Sequence, residues 1–265
     1  MSDRVAVVTG AARGIGAATA RRLAADAWRL VLVDRCADDP ALTYPLATRA
    51  ELDALVAECG GGDGRVVGLV GDVRDQPALD EAVRVATERF GGLDAAVAAA
   101  GCIAGGAPAW QTDEAGWTTM LQVNLDGVWR LARAAVPALL RRPAPRHGRF
   151  VAISSAGGSV GLPMLAAYVS AKHGVNGLIR SLAAELGPEG ITANAIAPGS
   201  TTTAMLAASS ALYGLADTDD LIRQHLLDRP LHPDEVAALV AWVCGTESSG
   251  VTGAVLPVDA GMTAQ

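Results

Sequence analysis

The sequence predicts one α/β domain, a doubly wound parallel sheet of about seven strands with helices on both faces. Three observations carry that expectation. Short apolar runs of strand length alternate with helical stretches from Val5 to Val258. The first run closes on a glycine turn, Gly10-Ala-Ala-Arg-Gly14-Ile-Gly16, that opens a helical pattern. The second run, Trp28 to Asp34, ends in an acid about twenty residues past that turn.

Each element has its own signal. The first strand is Val5-Ala-Val-Val-Thr9. The glycines after it let the backbone approach a pyrophosphate, and a helix amino end favours its negative charge. Their spacing, Gly-x-x-x-Gly-x-Gly, gains weight from its place directly after the strand. At the end of the second strand, Asp34 can accept both ribose hydroxyls of NAD, whereas a 2′-phosphate would meet like charge. NAD is therefore the expected cofactor, although Arg35, next in the chain, could pair with a phosphate. Residues 36–50 are unusual. Most strand-to-helix connections run about two to six residues, whereas this one is far longer and holds Pro40 and Pro45. It reads either as a functional loop beside the adenosine site or as a tolerated surface insertion.

Thr48-Arg-Ala-Glu51 looks like a capping box for the next helix. Gly60 to Gly64 forms a turn, Arg65 to Gly71 the third strand, and Asp72-Val73 follows it. A helix starts at Pro77 and stops near Phe90-Gly-Gly. Leu93 to Ala100 is the fourth strand, ending at Gly101, where small residues allow close approach of a cofactor or a neighbouring strand. A long helix from Asp113 to about Arg141 carries Asn124 on an apolar face. That amide must find hydrogen bonds, by holding a structural water or by bending the helix. Pro143 and Pro145 end the region. A fifth strand then runs into Ser154-Ser155, and a glycine-rich loop leads to an Ala-rich helix starting near Met164. The sixth strand, Gly190 to Ala197, ends in Pro198-Gly199 and a hydroxyl-rich loop that includes Thr201 and Thr203. Residues 203–230 are expected either to form a substrate lid or to pack as a surface helix. A helix from Pro233 to Cys244 and a last strand from Val251 to Val258 complete a single domain spanning 1–265.

On the Ala-rich helix Tyr168 and Lys172 are four apart and share a face. With Ser155 they can converge at the carboxyl end of the sheet. A phenol titrates near pH ~10 in water, and a neighbouring ammonium lowers that value. Such a phenol can exchange a proton with an alcohol or carbonyl oxygen that the serine also holds. By itself Tyr-x-x-x-Lys is a common surface pattern, in which the tyrosine packs and the lysine is solvated.

The 265 residues are 51% hydrophobic and 18% charged, which excludes a disordered chain, and the net charge of −7 argues against a nucleic-acid footprint. No run is long enough to span a bilayer and no leader pattern is evident, so a cytoplasmic location is expected. Cys36, Cys59, Cys102 and Cys244 are too scattered for a metal site or a disulfide framework.

Taken together, Thr9-Gly-Ala-Ala-Arg-Gly-Ile-Gly16, Asp72, Asn124, Ser155, Tyr168, Lys172 and Pro198-Gly199 resemble the short-chain dehydrogenase/reductase family over almost the full length. The resemblance implies a Rossmann-type fold, usually a homotetramer, that oxidises alcohols or reduces ketones with a nicotinamide cofactor. It implies Tyr168 as acid/base and Ser155 orienting the reacting oxygen. Lys172 would lower the tyrosine pKa and hold the nicotinamide ribose, and Asn124 would anchor a relay water. Gly10, Arg13, Gly14, Ile15, Gly16, Asp34, Arg35, Cys36, Asp72, Val73, Ala99, Gly101, Pro198, Gly199, Thr201 and Thr203 would meet the cofactor. Leu162, Met164, Met205 and Tyr213 would line an apolar substrate pocket. One departure is Ala98-Ala-Ala-Gly101 where the family usually has Asn-Asn-Ala-Gly, so some sheet stabilisation must come from elsewhere.

The insertion, Asp34-Arg-Cys-Ala-Asp-Asp-Pro through Tyr44-Pro-Leu-Ala-Thr48, resembles the subgroup associated with mycofactocin, which includes the carveol dehydrogenases. That resemblance implies a tightly held NAD under the loop, reoxidised through an external redox carrier. The alternatives are a freely exchanging NAD(P)H ketoreductase, such as a 3-oxoacyl reductase, and a non-catalytic nucleotide-binding regulator on the same fold.

Overall fold

In the computed structural model, which describes residues 4–215 and 219–264, one parallel sheet of seven strands forms the centre. The strands are β1 (Val5–Thr9), β2 (Arg29–Asp34), β3 (Val66–Val70), β4 (Ala95–Ala98), β5 (Arg149–Ile153), β6 (Thr192–Pro198) and β7 (Val255–Val258). Their order is β3-β2-β1-β4-β5-β6-β7, and every neighbouring pair is parallel. β1, β4, β5 and β6 are buried throughout, as continuous apolar runs between two helical layers should be. The chain winds outward in both directions from β1, so a crevice opens between the carboxyl ends of β1 and β4, where open α/β sheets bind ligands.

One face is covered by α3 (Gln76–Phe90), α5 (Gly127–Leu140) and α6 (Ala166–Leu186), with Leu79, Leu131 and Ile179 packed on Val7, Val31 and Phe150. The other carries α1 (Gly14–Ala25), α2 (Arg49–Glu58) and α9 (Pro233–Cys244), with Leu23, Leu52 and Val240 packed on Val8, Leu30 and Val151. Two short helices, α7 (Ala204–Leu212) and α8 (Asp219–Ile222), lie in the expected lid. Residues 216–218 of that stretch fall outside the described residues. The capping box at Thr48 is present, with the Glu51 N–H donating to the Thr48 hydroxyl and the Thr48 N–H to the Glu51 carboxylate.

Two expectations are corrected. The long helix from Asp113 is α4 (Glu114–Leu121), one π turn (Gln122–Asp126) and then α5. The π turn coincides with Asn124, whose side-chain amide donates to the Cys102 carbonyl in the loop after β4 as well as to the Met120 carbonyl of its own helix. The Tyr168 helix begins at Ala166 rather than near Met164. Met164 stands at a φ of +58°, and its carbonyl accepts the Gly106 N–H at 3.0 Å, which pins it to the neighbouring loop instead.

Candidate active site

A cavity of about 660 Å³ runs along the carboxyl ends of β1, β2, β4, β5 and β6, within the usual range for small-molecule and cofactor sites. At its floor, Gly10 has a φ of +63°, and a Cβ there would sit 2.5 Å from the Ala100 Cα. A Cβ on Gly16 would sit 2.0 Å from the Gly10 carbonyl oxygen. Only glycine lets the turn and the end of β4 touch. Arg13, at the N-cap of α1, provides no side-chain cap, and the first turn holds no acid. The amide donors there are therefore free for an anion.

The Asp34 carboxylate is fixed at the rim by the Ala12 N–H at 3.0 Å and the Cys36 N–H at 3.2 Å. Arg35 is tied down as well, with Nη1 2.5 Å from Asp39 and Nε 3.2 Å from Asp72. Arg74 reaches Asp72 at 2.6 Å and Asp39 at 2.9 Å. Burial alone would raise the Asp39 carboxyl. The Ala41 N–H and the two guanidinium groups outweigh it and hold the carboxyl below its ordinary value.

The long insertion crosses this cavity. Its wall includes Leu42, Tyr44, Leu46 and Ala47. The Arg13 guanidinium donates to the Pro45 carbonyl at 2.5 Å, and the Ile103 N–H donates to the Tyr44 phenol oxygen at 3.0 Å. Burial pushes the Tyr44 phenol up to about 12, so it stays protonated at neutral pH. The segment 36–50 thus contributes to the cavity wall and is tied to it at Tyr44 and Pro45.

The tether also explains how Ala98-Ala-Ala-Gly101 manages without side-chain amides. Beyond β4 the Thr9 hydroxyl accepts the Ala100 N–H at 3.4 Å. Asn124 accepts the Cys102 N–H at 3.2 Å and donates to the Cys102 carbonyl at 3.0 Å and to that of Met120 at 3.1 Å. Its side chain is fully buried and off the cavity wall, so its visible work is to hold the loop after β4.

At the inner end Ser155, Tyr168 and Lys172 share the cavity wall. Ser155 follows β5 and caps a 3₁₀ turn through the Gly157 N–H at 3.0 Å. Lys172 is buried, with Nζ donating to the Ile153 carbonyl at 2.8 Å and lying 5.7 Å from the Tyr168 ring centre. Burial lowers its ammonium to about 8. Burial also raises the Tyr168 phenol above its ordinary value, against the opposing pull of its hydrogen bond with Ser155. Desolvation of the phenolate is the largest effect on Tyr168.

Gly10, Arg13, Gly14, Ile15, Gly16, Asp34, Arg35, Asp72, Val73, Ala99, Gly101, Pro198, Gly199, Thr201 and Thr203 all line the cavity. Cys36 does not. It has a φ of +54°, and its side chain packs toward the core under α1 and α2. Leu162, Met205 and Tyr213 lie on the apolar side beside Tyr168, whereas Met164 does not reach the wall and Leu165 stands there in its place. Tyr213 donates its hydroxyl to the Pro163 carbonyl at 2.8 Å, which ties the end of α7 to the loop before α6. Sequence reading missed Asp39, Tyr44 and Arg74 as site residues. The insertion's length was the only signal for the first two. The glycine turn, the uncapped helix end and the acid at β2 together fit a dinucleotide, with its pyrophosphate at α1 and its ribose at Asp34.

A family profile described as enoyl-(acyl carrier protein) reductase matches residues 10–263. The crystal structure of carveol dehydrogenase from Mycobacterium avium in complex with NAD has a TM-score of 0.93 at 34% identity, over 100% of this chain and 99% of that one. A short-chain dehydrogenase from Mycobacterium paratuberculosis bound to NAD has a TM-score of 0.90 at 32% identity, over 99% and 98%. Among curated relatives, (−)-trans-carveol dehydrogenase of Rhodococcus erythropolis is 34% identical over 99% of this chain and 98% of its own length.

Proposed function

The chain belongs to the short-chain dehydrogenase/reductase family and resembles its carveol dehydrogenase-like members, and from that premise we propose that it interconverts a hydrophobic secondary alcohol and its ketone with a tightly held NAD. It is an NAD-dependent oxidoreductase of CH–OH donors. The observation that carries the proposal is the meeting of Ser155, Tyr168 and Lys172 on one wall with the glycine turn and Asp34.

NAD supplies the hydride acceptor or donor. Gly10, Gly14, Gly16 and the amino end of α1 hold its pyrophosphate, and Asp34 its adenosine ribose. Ser155 holds the substrate oxygen, and Tyr168 takes the hydroxyl proton on oxidation or returns it on reduction. Lys172, with its Nζ anchored on Ile153, faces the same oxygen-binding region and stabilises negative charge forming on Tyr168. Asn124 acts through the loop at Cys102, which it clamps, rather than by touching the reactants. Leu162, Leu165, Met205 and Tyr213 favour an apolar substrate.

Tight retention rests on the tethered insertion, which has to release Tyr44 from Ile103 and Arg13 from Pro45 before a bound dinucleotide can leave. Turnover then proceeds through an external redox carrier such as mycofactocin rather than by cofactor exchange. The test is the nucleotide content of extensively dialysed protein. Close to one NAD per chain, and turnover only with an artificial electron acceptor, is the expected result. Empty protein that turns over with added NAD would replace it with an exchanging ketoreductase. Protein that binds NAD but oxidises no alcohol with either acceptor would leave the regulator reading.

A further inference from the structure

Two arginines and two aspartates form a closed cluster at the adenosine end of the cavity. Arg35 and Arg74 both line the wall, on the loops that follow β2 and β3. Such a pair of guanidinium forks is well suited to binding a phosphate. Here each is already engaged. Asp72 pairs with both, at 3.2 Å and 2.6 Å, and so does Asp39, at 2.5 Å and 2.9 Å. Asp39 is 5% exposed although it belongs to a loop, and its other carboxylate oxygen accepts the Ala41 N–H at 2.9 Å. A carboxylate so far out of water is stable only because both forks and that amide meet it.

We infer that Asp39 is a specificity-determining residue, an anion built into the insertion that occupies the Arg35–Arg74 pair and so denies it to the 2′-phosphate of NADP. This rests on the reading of the cleft as an NAD site, and it gives the insertion a task beyond retention. Asp34 repels a 2′-phosphate by charge, whereas Asp39 removes the two cations that would attract one. Without Asp39, two guanidinium groups would share Asp72 alone, and these three side chains together would carry one net positive charge.

The experiment purifies wild type, Asp39→Asn and Asp39→Asn/Arg74→Gln from the same host. Heat releases the bound nucleotide, and NAD and NADP are separated and quantified. Circular dichroism establishes that each protein is folded. Asparagine can keep the acceptor for the Ala41 N–H while losing the charge, and Asp39→Ser carries the same expectation should the asparagine variant not fold. Wild type should carry NAD, the ratio of NADP to NAD should rise about tenfold in Asp39→Asn, equivalent to one factor of ten in relative affinity, and the double variant should fall back. An unchanged ratio in both uncharged Asp39 variants would overturn the inference and leave the NAD reading standing, as would a gain that persists without Arg74. Wild type that carries and binds no nicotinamide nucleotide would instead end the NAD reading itself.

Discussion

On the proposed reading Tyr168 is the acid/base, and its surroundings would set the sign of its pH behaviour. Burial holds the phenol above its ordinary value of 10.0, with the Ser155 hydrogen bond acting against that rise. The phenol is thus protonated through neutral pH and ready to donate, so carbonyl reduction should be flat there and decline only on the alkaline side. Alcohol oxidation needs the deprotonated form and should climb with pH over the same alkaline range. Lys172, lowered to about 8 by burial, loses its charge within this range, so the help it gives the phenolate should fade above that pH. Tyr168→Phe should reduce kcat by about 10²–10⁴-fold, the size of a general acid–base contribution. Its retained nucleotide and dichroism spectrum should match wild type. Steady-state rates in both directions across a pH series check this, and a phenylalanine variant with normal turnover would remove Tyr168 from the mechanism.

Among the elements, the insertion between β2 and α2 borders the adenosine end of the cavity. It has no regular secondary structure before Arg49, yet Asp39 and Ala47 are buried and Tyr44 is tied to Ile103. Tyr44→Phe removes the acceptor of the Ile103 N–H and leaves that amide unpaired, at a cost of about 1–3 kcal/mol. The lost tie should loosen the strap, so nucleotide should dissociate about tenfold faster, with little change in the rate of the chemical step. Following NAD loss during timed dialysis, alongside single-turnover rates of loaded protein, separates the two effects. Unchanged release would show that Tyr44 is packing rather than a latch. The π turn at Asn124 was legible only as a choice between a water site and a bend. An amide on an apolar helix face must find partners, but which partners depends on the neighbouring strand end.

For the whole molecule, tryptophans of the helical layer reach the surface. Trp117 on α4 and Trp129 on α5 are 39% and 46% exposed. A homotetramer, the assembly usual for the family, should elute with the mass of four chains in light scattering. A monomer at micromolar concentration would refute it. None of the helices among the described residues is long and apolar enough to cross a membrane.

The sequence by itself determined the parallel sheet, the glycine turn after β1, Asp34 at the end of β2, and Ser155, Tyr168 and Lys172. Each is encoded locally: an apolar run of strand length, a turn that only glycine fits, an i, i+4 pair on one helix face. Only the tertiary structure showed the contacts of Asp39 with Arg74, of Tyr44 with Ile103 and of Asn124 with Cys102, because these partners lie far apart in the chain. Tyr44 finds Ile103 across 59 residues, and Asn124 finds Cys102 across 22. It also raised the Tyr168 phenol through burial and moved Met164 off the pocket wall. Desolvation and loop packing depend on what surrounds a side chain, and no local pattern of residues records that.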